Sequence, residues 1–302
     1  MRFYRGRFAP SPSGPLHFGS LIAAVGSYLD ARTQGGEWRV RMEDVDTPRN
    51  VAGAADNILT TLEAFGFEWD GDVLYQSDRL EAYAAALEQL KKSGLAYPCS
   101  CSRKEIADSG QLAAIDGGLV YPGNCRTGLA EGRTARAWRL QVNKETTGFD
   151  DRLQGHIAQQ LANDVGDFVL LRADGLFAYQ LAVTVDDEFQ GISDIVRGAD
   201  LLASTPRQIW LQHCLGFSTP RYAHLPVVCN SAGEKLSKQT LAPALDQDKA
   251  SETLVQALRF LGQKPPQELS RSTLPEVWKW AMQNWDFSRI PAQKSIPLAL
   301  PD

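Results

Sequence analysis

The 302-residue chain has no apolar run long enough to cross a bilayer. That excludes a helical membrane-spanning protein, and no membrane partner is expected. It has no excess of positive charge either: 31 Lys and Arg stand against 36 Asp and Glu, a net charge of −5. A basic field over the whole molecule is therefore excluded, and a nucleic-acid partner would have to meet a local patch. Cysteine is scarce and odd in number, five in all. The disulfide framework of a small secreted domain does not fit a chain this long. Cys214 and Cys229 stand alone in apolar surroundings and read as small buried hydrophobes. The opening Met1-Arg2-Phe3-Tyr4-Arg5-Gly6-Arg7 moves straight into a turn-rich stretch and leaves no room for a secretory signal. The expected compartment is the cytoplasm. What remains is an ordinary globular balance, 43% hydrophobic and 22% charged, with length for roughly two domains.

Residues 5–20 organise the reading. Arg5-Gly6-Arg7-Phe8-Ala9 is the end of a strand, Pro10-Ser11-Pro12-Ser13-Gly14-Pro15 a turn, and Leu16-His17-Phe18-Gly19-Ser20 the first turn of a helix. Residues 21–29 continue that helix, apolar on most sides. A strand, turn and helix in this order open many nucleotide-binding α/β domains. The helix start presents unpaired N–H groups and a partial positive charge, which favour a phosphate. Gly14 and Gly19 allow close backbone approach, and His17 can donate to a phosphoryl oxygen. By itself this is also how a capped helix after a Pro-rich turn would look.

Trp38-Arg39-Val40-Arg41-Met42 alternates as a strand and ends at Glu43-Asp44-Val45-Asp46. A carboxylate at a strand's C-terminal end sits at the mouth of an open sheet, where Glu43 can hold an ammonium group. Residues 47–66 are expected to be a helix capped by Thr47, with Pro48 first and Ile58, Leu59, Leu62 and Phe65 facing the core. A second helix is expected over 79–94, with the stripe Leu80, Tyr83, Ala84, Leu87 and Leu90 and Gly94 as its stop. Residues 164–172 read as a strand and Ala173-Asp174-Gly175 as a hairpin turn. Tyr179 then begins a run that is apolar apart from Gln180. In Val196-Arg197-Gly198, an arginine at a strand end can pair bidentately with a carboxylate. That favours an acidic substrate, because a neutral amide would leave the guanidinium unpaired in a closed site. Thr205-Pro206-Arg207-Gln208 reads as a capped helix start. Near the end, Leu254, Ala257, Leu258 and Leu261 with Trp278, Trp280 and Trp285 read as core.

The downstream stretch Lys235-Leu236-Ser237-Lys238-Gln239 changes the weight of the opening. His-x-Gly after a first strand, paired with a distant Lys-x-Ser-Lys, resembles the signature pair of class I aminoacyl-tRNA synthetases. Arg7-Phe8-Ala9-Pro10-Ser11-Pro12, Arg41-Met42-Glu43-Asp44-Val45-Asp46 and Val196-Arg197-Gly198-Ala199-Asp200 with Thr205-Pro206-Arg207-Gln208 are similar to blocks of its glutamyl branch. Ser20 stands where the ideal opening motif has a second histidine, and Leu236 and Gln239 replace methionine and serine of the lysine loop. The chain is too short for the anticodon-binding region of a full glutamyl-tRNA synthetase. In this brevity it resembles the shortened glutamyl-Q tRNA(Asp) synthetase family.

The resemblance implies an α/β fold, a class I Rossmann-type parallel sheet with a zinc-bearing insertion and a small C-terminal helical domain. The implied division is 1–98 and 166–240 for the two halves of the catalytic domain, 99–165 for the insertion and 241–302 for the helical domain. It implies glutamate binding by Arg7, Ala9, Ser11, Glu43, Tyr179 and Arg197. It implies ATP binding by His17, Gly19, Lys235 and Lys238, with Mg²⁺ on the phosphates and His17 and Lys238 as catalytic groups. The activity implied is ATP-dependent activation of L-glutamate and transfer to queuosine in the anticodon of tRNA(Asp). Two other readings stay open: a compact synthetase charging a tRNA 3′ end, and a tRNA-binding protein without catalysis.

Cys99-Ser100-Cys101 and Tyr121-Pro122-Gly123-Asn124-Cys125 supply three thiols. A tetrahedral zinc site needs a fourth ligand. No histidine lies in this interval, His156 being the nearest downstream, so Tyr121 is the expected fourth donor. From the residues alone, reduced thiols without metal are an equal alternative. The resemblance favours one structural Zn²⁺ per chain on Cys99, Cys101, Tyr121 and Cys125, pinning a loop-rich insertion.

Overall fold

The computed structural model describes residues 3–109, 113–115, 118–230 and 243–298. Strand β1 (Arg5–Phe8) runs into helix α1 (Phe18–Thr33), then β2 (Glu37–Met42), α2 (Ala54–Ala64) and β3 (Leu74–Tyr75). Next come α3 (Leu80–Lys92), β4 (Ala96–Cys99), α4 (Arg103–Asp108), β5 (Ala137–Leu140), β6 (Thr146–Asp151) and β7 (Gly155–Gln160). Then follow α5 (Leu161–Asp164), β8 (Phe168–Leu171), α6 (Tyr179–Phe189), β9 (Asp194–Gly198), α7 (Thr205–Leu215), β10 (Arg221–Leu225) and β11 (Val227–Cys229). Helices α8 (Ala250–Phe260) and α9 (Leu274–Asn284) and strand β12 (Ser295–Pro297) complete the order.

Parallel pairing links β1 to β2 and β2 to β3 on one side, and β9 to β10 on the other. At the seam the Ser193 N–H donates to the Arg5 carbonyl over 2.9 Å, and the Arg5 N–H donates to Ser193 Oγ over 2.8 Å. The strands thus run in space as β3, β2, β1, β9, β10, with the sequence order reversing between β1 and β9. In a doubly wound sheet that reversal marks the ligand crevice. An antiparallel sheet of β4, β5 and β8 stands apart, as does the β6–β7 hairpin.

Helix α1 is buried along Leu21, Ile22, Ala24, Val25, Leu29 and Ala31 because it is covered on both sides. The sheet lies against one side, and α8 and α9 against the other. Leu254, Leu258 and Val277 are fully buried in the core shared with Val25 and Val40. Each contributes roughly 1.5–3 kcal/mol by leaving water. A second core forms where α3, α6 and α7 meet the β4–β5–β8 sheet, around Tyr83, Leu90, Leu140, Leu170 and Leu181.

Some local expectations change. Thr47 does not cap a helix over 47–66: Thr47–Arg49 is a single 3₁₀ turn, and α2 starts only at Ala54. The Val51 N–H is held by the Pro12 carbonyl at 2.9 Å, which keeps the chain extended there, and Gly53 turns at φ 74°. Leu80, expected in a buried stripe, is 48% exposed at the first position of α3, and Ala84 is exposed beside it. Tyr179 opens helix α6. Thr205 begins α7 without capping it, because its hydroxyl is engaged by Arg197. The tail includes β12, which pairs in parallel with β11. Cys229 is buried as expected, whereas Cys214 is only partly so; burial still pushes the Cys214 thiol up to about 12.

Candidate active site

A cavity of about 970 Å³ opens at the C-terminal ends of β1, β9 and β10, on the line where the strand order reverses. Arg7 and Ala9 reach it from the end of β1, and Ser11 from the turn that follows. His17 and Gly19 border it at the start of α1, Glu43 just past β2, Tyr179 at the start of α6 and Arg197 near the end of β9. These eight sequence-derived candidates therefore share one cavity. Lys235 and Lys238 lie outside the described residues. The described chain on either side of them borders the same place: Val227 and Val228 line the cavity, and Ala244 bridges to His17.

The helix start is built for an anion. His17 is the N-cap of α1, and its Nδ1 accepts from the Ser20 N–H at 3.4 Å. The Ser20 hydroxyl in turn accepts from the His17 N–H at 3.1 Å, completing a capping box. A ring nitrogen that accepts carries no proton, so the neutral ring holds its proton on Nε2, as a donor. No acidic residue stands in the first turn of α1 to oppose a phosphate.

Charge around Arg7, Glu43 and Arg197 is distributed unevenly. Asp187, two turns along α6 from Tyr179, accepts from Arg7 Nε at 3.1 Å and lies 2.9 Å from Arg41 Nη1. Arg41 Nη2 also reaches Glu43 Oε1 at 3.3 Å. Burial works to raise the Asp187 carboxyl, but the charges of Arg7 and Arg41 hold it below the usual range. At Glu43 burial wins and raises the carboxyl, although Arg41 and Arg7 pull the other way. Burial, with the nearby Glu43 charge, also raises the Tyr179 phenol, which therefore remains a donor.

Arg197 is different. Its Nε donates to His224 Nε2 at 3.1 Å and its Nη2 to Thr205 Oγ1 at 2.8 Å, both neutral acceptors. Its Nη1 is buried without a hydrogen-bond partner among the described residues. The sequence reading missed Asp187, His224, Thr205 and Asp151. Two could have been found: Asp187 follows Tyr179 by eight positions, the same face of a helix, and His224 sits opposite Arg197 in the β9–β10 register.

The thiols converge as well. The ligand atoms of Cys99, Cys101 and Cys125 all lie within 4.8 Å of one another. Cys101 and Cys125 sulfurs are 3.6 Å apart, and Tyr121 Oη is 3.3 Å from Cys99 Sγ and 3.5 Å from Cys101 Sγ. A tetrahedron with Zn–S of ~2.3 Å and Zn–O of ~2.0 Å has edges of about 3.8 and 3.5 Å. The four donors therefore fit zinc. Burial opposes ionisation of Cys125, but hydrogen bonds led by Tyr121 bring its thiol down to about 7, whereas burial raises the Cys101 thiol and the Tyr121 phenol, so these two would ionise only with a metal's charge beside them. Arg139 lies over the Tyr121 ring at 3.9 Å and donates to Cys99 Sγ at 3.3 Å, placing positive charge beside the sulfurs.

Among the described residues no helix is long and apolar enough to cross a membrane. Residues 4–292 match the model of the tRNA synthetases class I (E and Q), catalytic domain. The chain is 71% identical over 295 residues to the glutamyl-Q tRNA(Asp) synthetase of Dechloromonas aromatica, covering 98% of each. It is 60% identical over 290 residues to that of Aromatoleum aromaticum, covering 96% of this chain and 91% of the relative. A crystal structure of glutamate-tRNA synthetase from Elizabethkingia anophelis superposes with a TM-score of 0.80 at 23% identity. The match spans 99% of this chain and 68% of that one, a likeness of fold. With its nucleotide-type crevice, its helix-start histidine and full-length kinship of this order, the chain belongs to the catalytic-domain family of the class I tRNA synthetases for E and Q.

Proposed function

We propose that this chain activates L-glutamate with ATP and transfers the glutamyl group to queuosine in the anticodon of tRNA(Asp). The observation that carries the proposal is the single cavity. It joins a phosphate-favouring helix start at His17 to an amino-acid half holding Glu43 and an Arg197 that pairs with no carboxylate among the described residues. Kinship at 71% identity to a protein named for that acceptor supports the choice of tRNA.

Glu43 takes the substrate ammonium, while Arg197, with Arg7 and Tyr179, takes the side-chain carboxylate. Ala9 and Ser11 close the cavity wall around the substrate backbone. The free α-carboxylate attacks the α-phosphorus of ATP, a new C–O–P bond forms and pyrophosphate leaves. His17 Nε2–H, the N–H groups near Gly19, and Lys235 and Lys238 stabilise charge on the phosphates; such preorganised donors carry much of catalysis in phosphoryl chemistry. Mg²⁺ bound with ATP would neutralise charge on the phosphates. A hydroxyl of the queuosine cis-diol then displaces AMP from the acyl carbon. Cys99, Cys101, Tyr121 and Cys125 would hold a structural zinc that pins the segment around them. The same proposal includes the division into catalytic halves 1–98 and 166–240, an insertion at 99–165 and a helical domain at 241–302, working in the cytoplasm.

The test is labelled-glutamate transfer to tRNA(Asp) with and without queuosine, followed by nuclease digestion and identification of the labelled nucleotide. Label on queuosine alone is expected. Label on the 3′-terminal adenosine would replace the proposal with a compact synthetase. Absence of glutamate-dependent pyrophosphate exchange would replace it with a non-catalytic tRNA binder.

A further inference from the structure

Arg7 and Arg197 line the amino-acid half of the cavity and Arg41 lies behind Glu43, but their partners differ in charge. Arg7 and Arg41 face Asp187 and Glu43. Arg197 faces an imidazole and a hydroxyl. The imidazole belongs to His224 on β10, fully buried. An arginine Nε can only donate, so His224 Nε2 must be the unprotonated nitrogen. Its Nδ1 then carries the proton and donates to Asp151 Oδ2 at 2.6 Å. Asp151 ends β6, and its other oxygen accepts from the N–H groups of Leu153, Gln154 and His224 at 3.0, 2.8 and 3.2 Å. The chain of donors has one direction: Arg197 to His224 to Asp151, whose place is set by its own turn.

We infer that His224 is a positioning residue for Arg197, held by Asp151 in the Nδ1–H tautomer so that Arg197 keeps its charge uncompensated and presents Nη1 to the substrate's side-chain carboxylate. Of the two arginines expected to read that carboxylate, Arg197 then carries the selection and Arg7 is largely balanced by Asp187. Had a carboxylate stood where His224 stands, it would neutralise Arg197 and compete with the substrate. Had an imidazolium stood there, it would repel the guanidinium and offer no acceptor. Burial, with the charge of Arg197, pushes His224 down to about 4 although Asp151 pulls upward, consistent with a neutral ring. The inference rests on glutamate being the activated amino acid.

The experiment has two arms. In the first, ¹⁵N NMR on the wild-type protein reads histidine tautomers at pH 7; with four histidines in the chain, a His224→Gln spectrum assigns the signal. The Nδ1–H tautomer is expected at His224. An Nε2–H ring or an imidazolium overturns the inference. In the second, glutamate-dependent pyrophosphate exchange is measured with tRNA present. His224→Leu should raise KM for glutamate about ten- to hundredfold, as for a lost buried hydrogen bond to a charged group, with KM for ATP within about twofold. His224→Gln, whose Oε1 can accept from Arg197, should recover most of the loss. A folded His224→Leu enzyme with unchanged KM for glutamate overturns the inference. If that variant does not fold, Asp151→Asn replaces it: a raised KM for glutamate supports the inference and an unchanged one overturns it. Failure of the wild type to exchange pyrophosphate with glutamate would instead defeat the proposed function, and the tautomer measurement would still decide the inference about Arg197.

Discussion

Glu43 lines the cavity and His224 lies behind Arg197, which also lines it; burial moves both Glu43 and His224 toward their neutral forms. For Glu43 that leaves a carboxylate kept near Arg41 by 3.3 Å contact and ready to gain from an incoming ammonium. Glu43→Gln should raise KM for glutamate at least about tenfold, the scale of a buried charged hydrogen bond, with ATP affinity within about twofold in isothermal titration. For His224 the consequence is a pH slope. Its value of about 4 lies below the unfolded value of 6.5, so the unfolded chain binds more protons between those limits. The associated stability is complete above pH 6.5 and is lost as pH falls to about 4, by roughly 3 kcal/mol at most. Asp151 and Asp187, held below the carboxylate range, lose their contributions at lower pH still, and Glu43, raised, acts with the opposite sign. Urea unfolding of His224→Gln against wild type at pH 7, 5.5 and 4.5 isolates the term. The placement of Glu43 and Arg197 at the cavity was legible because a charge ending a strand-like stretch marks the sheet's mouth, whereas Arg7 was placed there through the resemblance. Asp187 offered only its helical spacing from Tyr179 and His224 only its β9–β10 register, and both were passed over because a buried histidine or aspartate gains its meaning from a partner 27 or 180 residues away.

Between residue and molecule, two elements depend on a backbone detail. Gly166 has φ 74° and bridges in parallel to Tyr121. A Cβ there would lie 2.3 Å from the Tyr121 carbonyl oxygen and 2.4 Å from its amide nitrogen. Gly166→Ala cannot be accommodated without moving Tyr121 away from the three thiols. It should therefore lower zinc content below one per chain by metal analysis, and reduce thermal stability as well; full zinc content would place Tyr121 outside the ligand set. The second element is the α1 start. Ser20→Ala removes the hydroxyl that accepts from the His17 N–H. Loss of that half of the box should cost about 1 kcal/mol and raise KM for ATP, because the His17 backbone is no longer fixed. Ser20 departs from the family's second histidine, and the capping box gives that departure a structural role. Helix α1 was legible from its apolar run and its turn. The β6–β7 hairpin, which carries Asp151, was not: its strands alternate weakly and its exposed faces read as polar turn.

At the scale of the molecule, helix α1, which covers the sheet, is itself covered by the chain's own C-terminal helices. Trp278 Nε1 donates to the Phe65 carbonyl at 2.8 Å, and its ring meets Tyr28 at 4.9 Å and Phe67 at 5.0 Å. Gly66, at φ 74°, leaves the space this indole fills, since a Cβ would lie 2.9 Å from Trp278 Nε1. Of the tryptophans expected as core, Trp278 is buried while Trp280 and Trp285 are only partly so, and the partners of Trp278 could not be read, since they come from α1 and the chain after α2. Helices α8 and α9 bury their apolar faces against α1, and α1 is the element whose start borders the cavity. Loosening one should loosen the other. Trp278→Ala should destabilise the protein by about 3–5 kcal/mol, the range for deleting a buried tryptophan. Because Trp278 does not line the cavity, its effect on activity should come only through folding. Wild type and variant should each unfold in one transition, seen alike by far-UV circular dichroism and by loss of adenosine-nucleotide binding. A variant that lost nucleotide binding well below its circular-dichroism midpoint would show instead that α8 and α9 melt separately from the sheet.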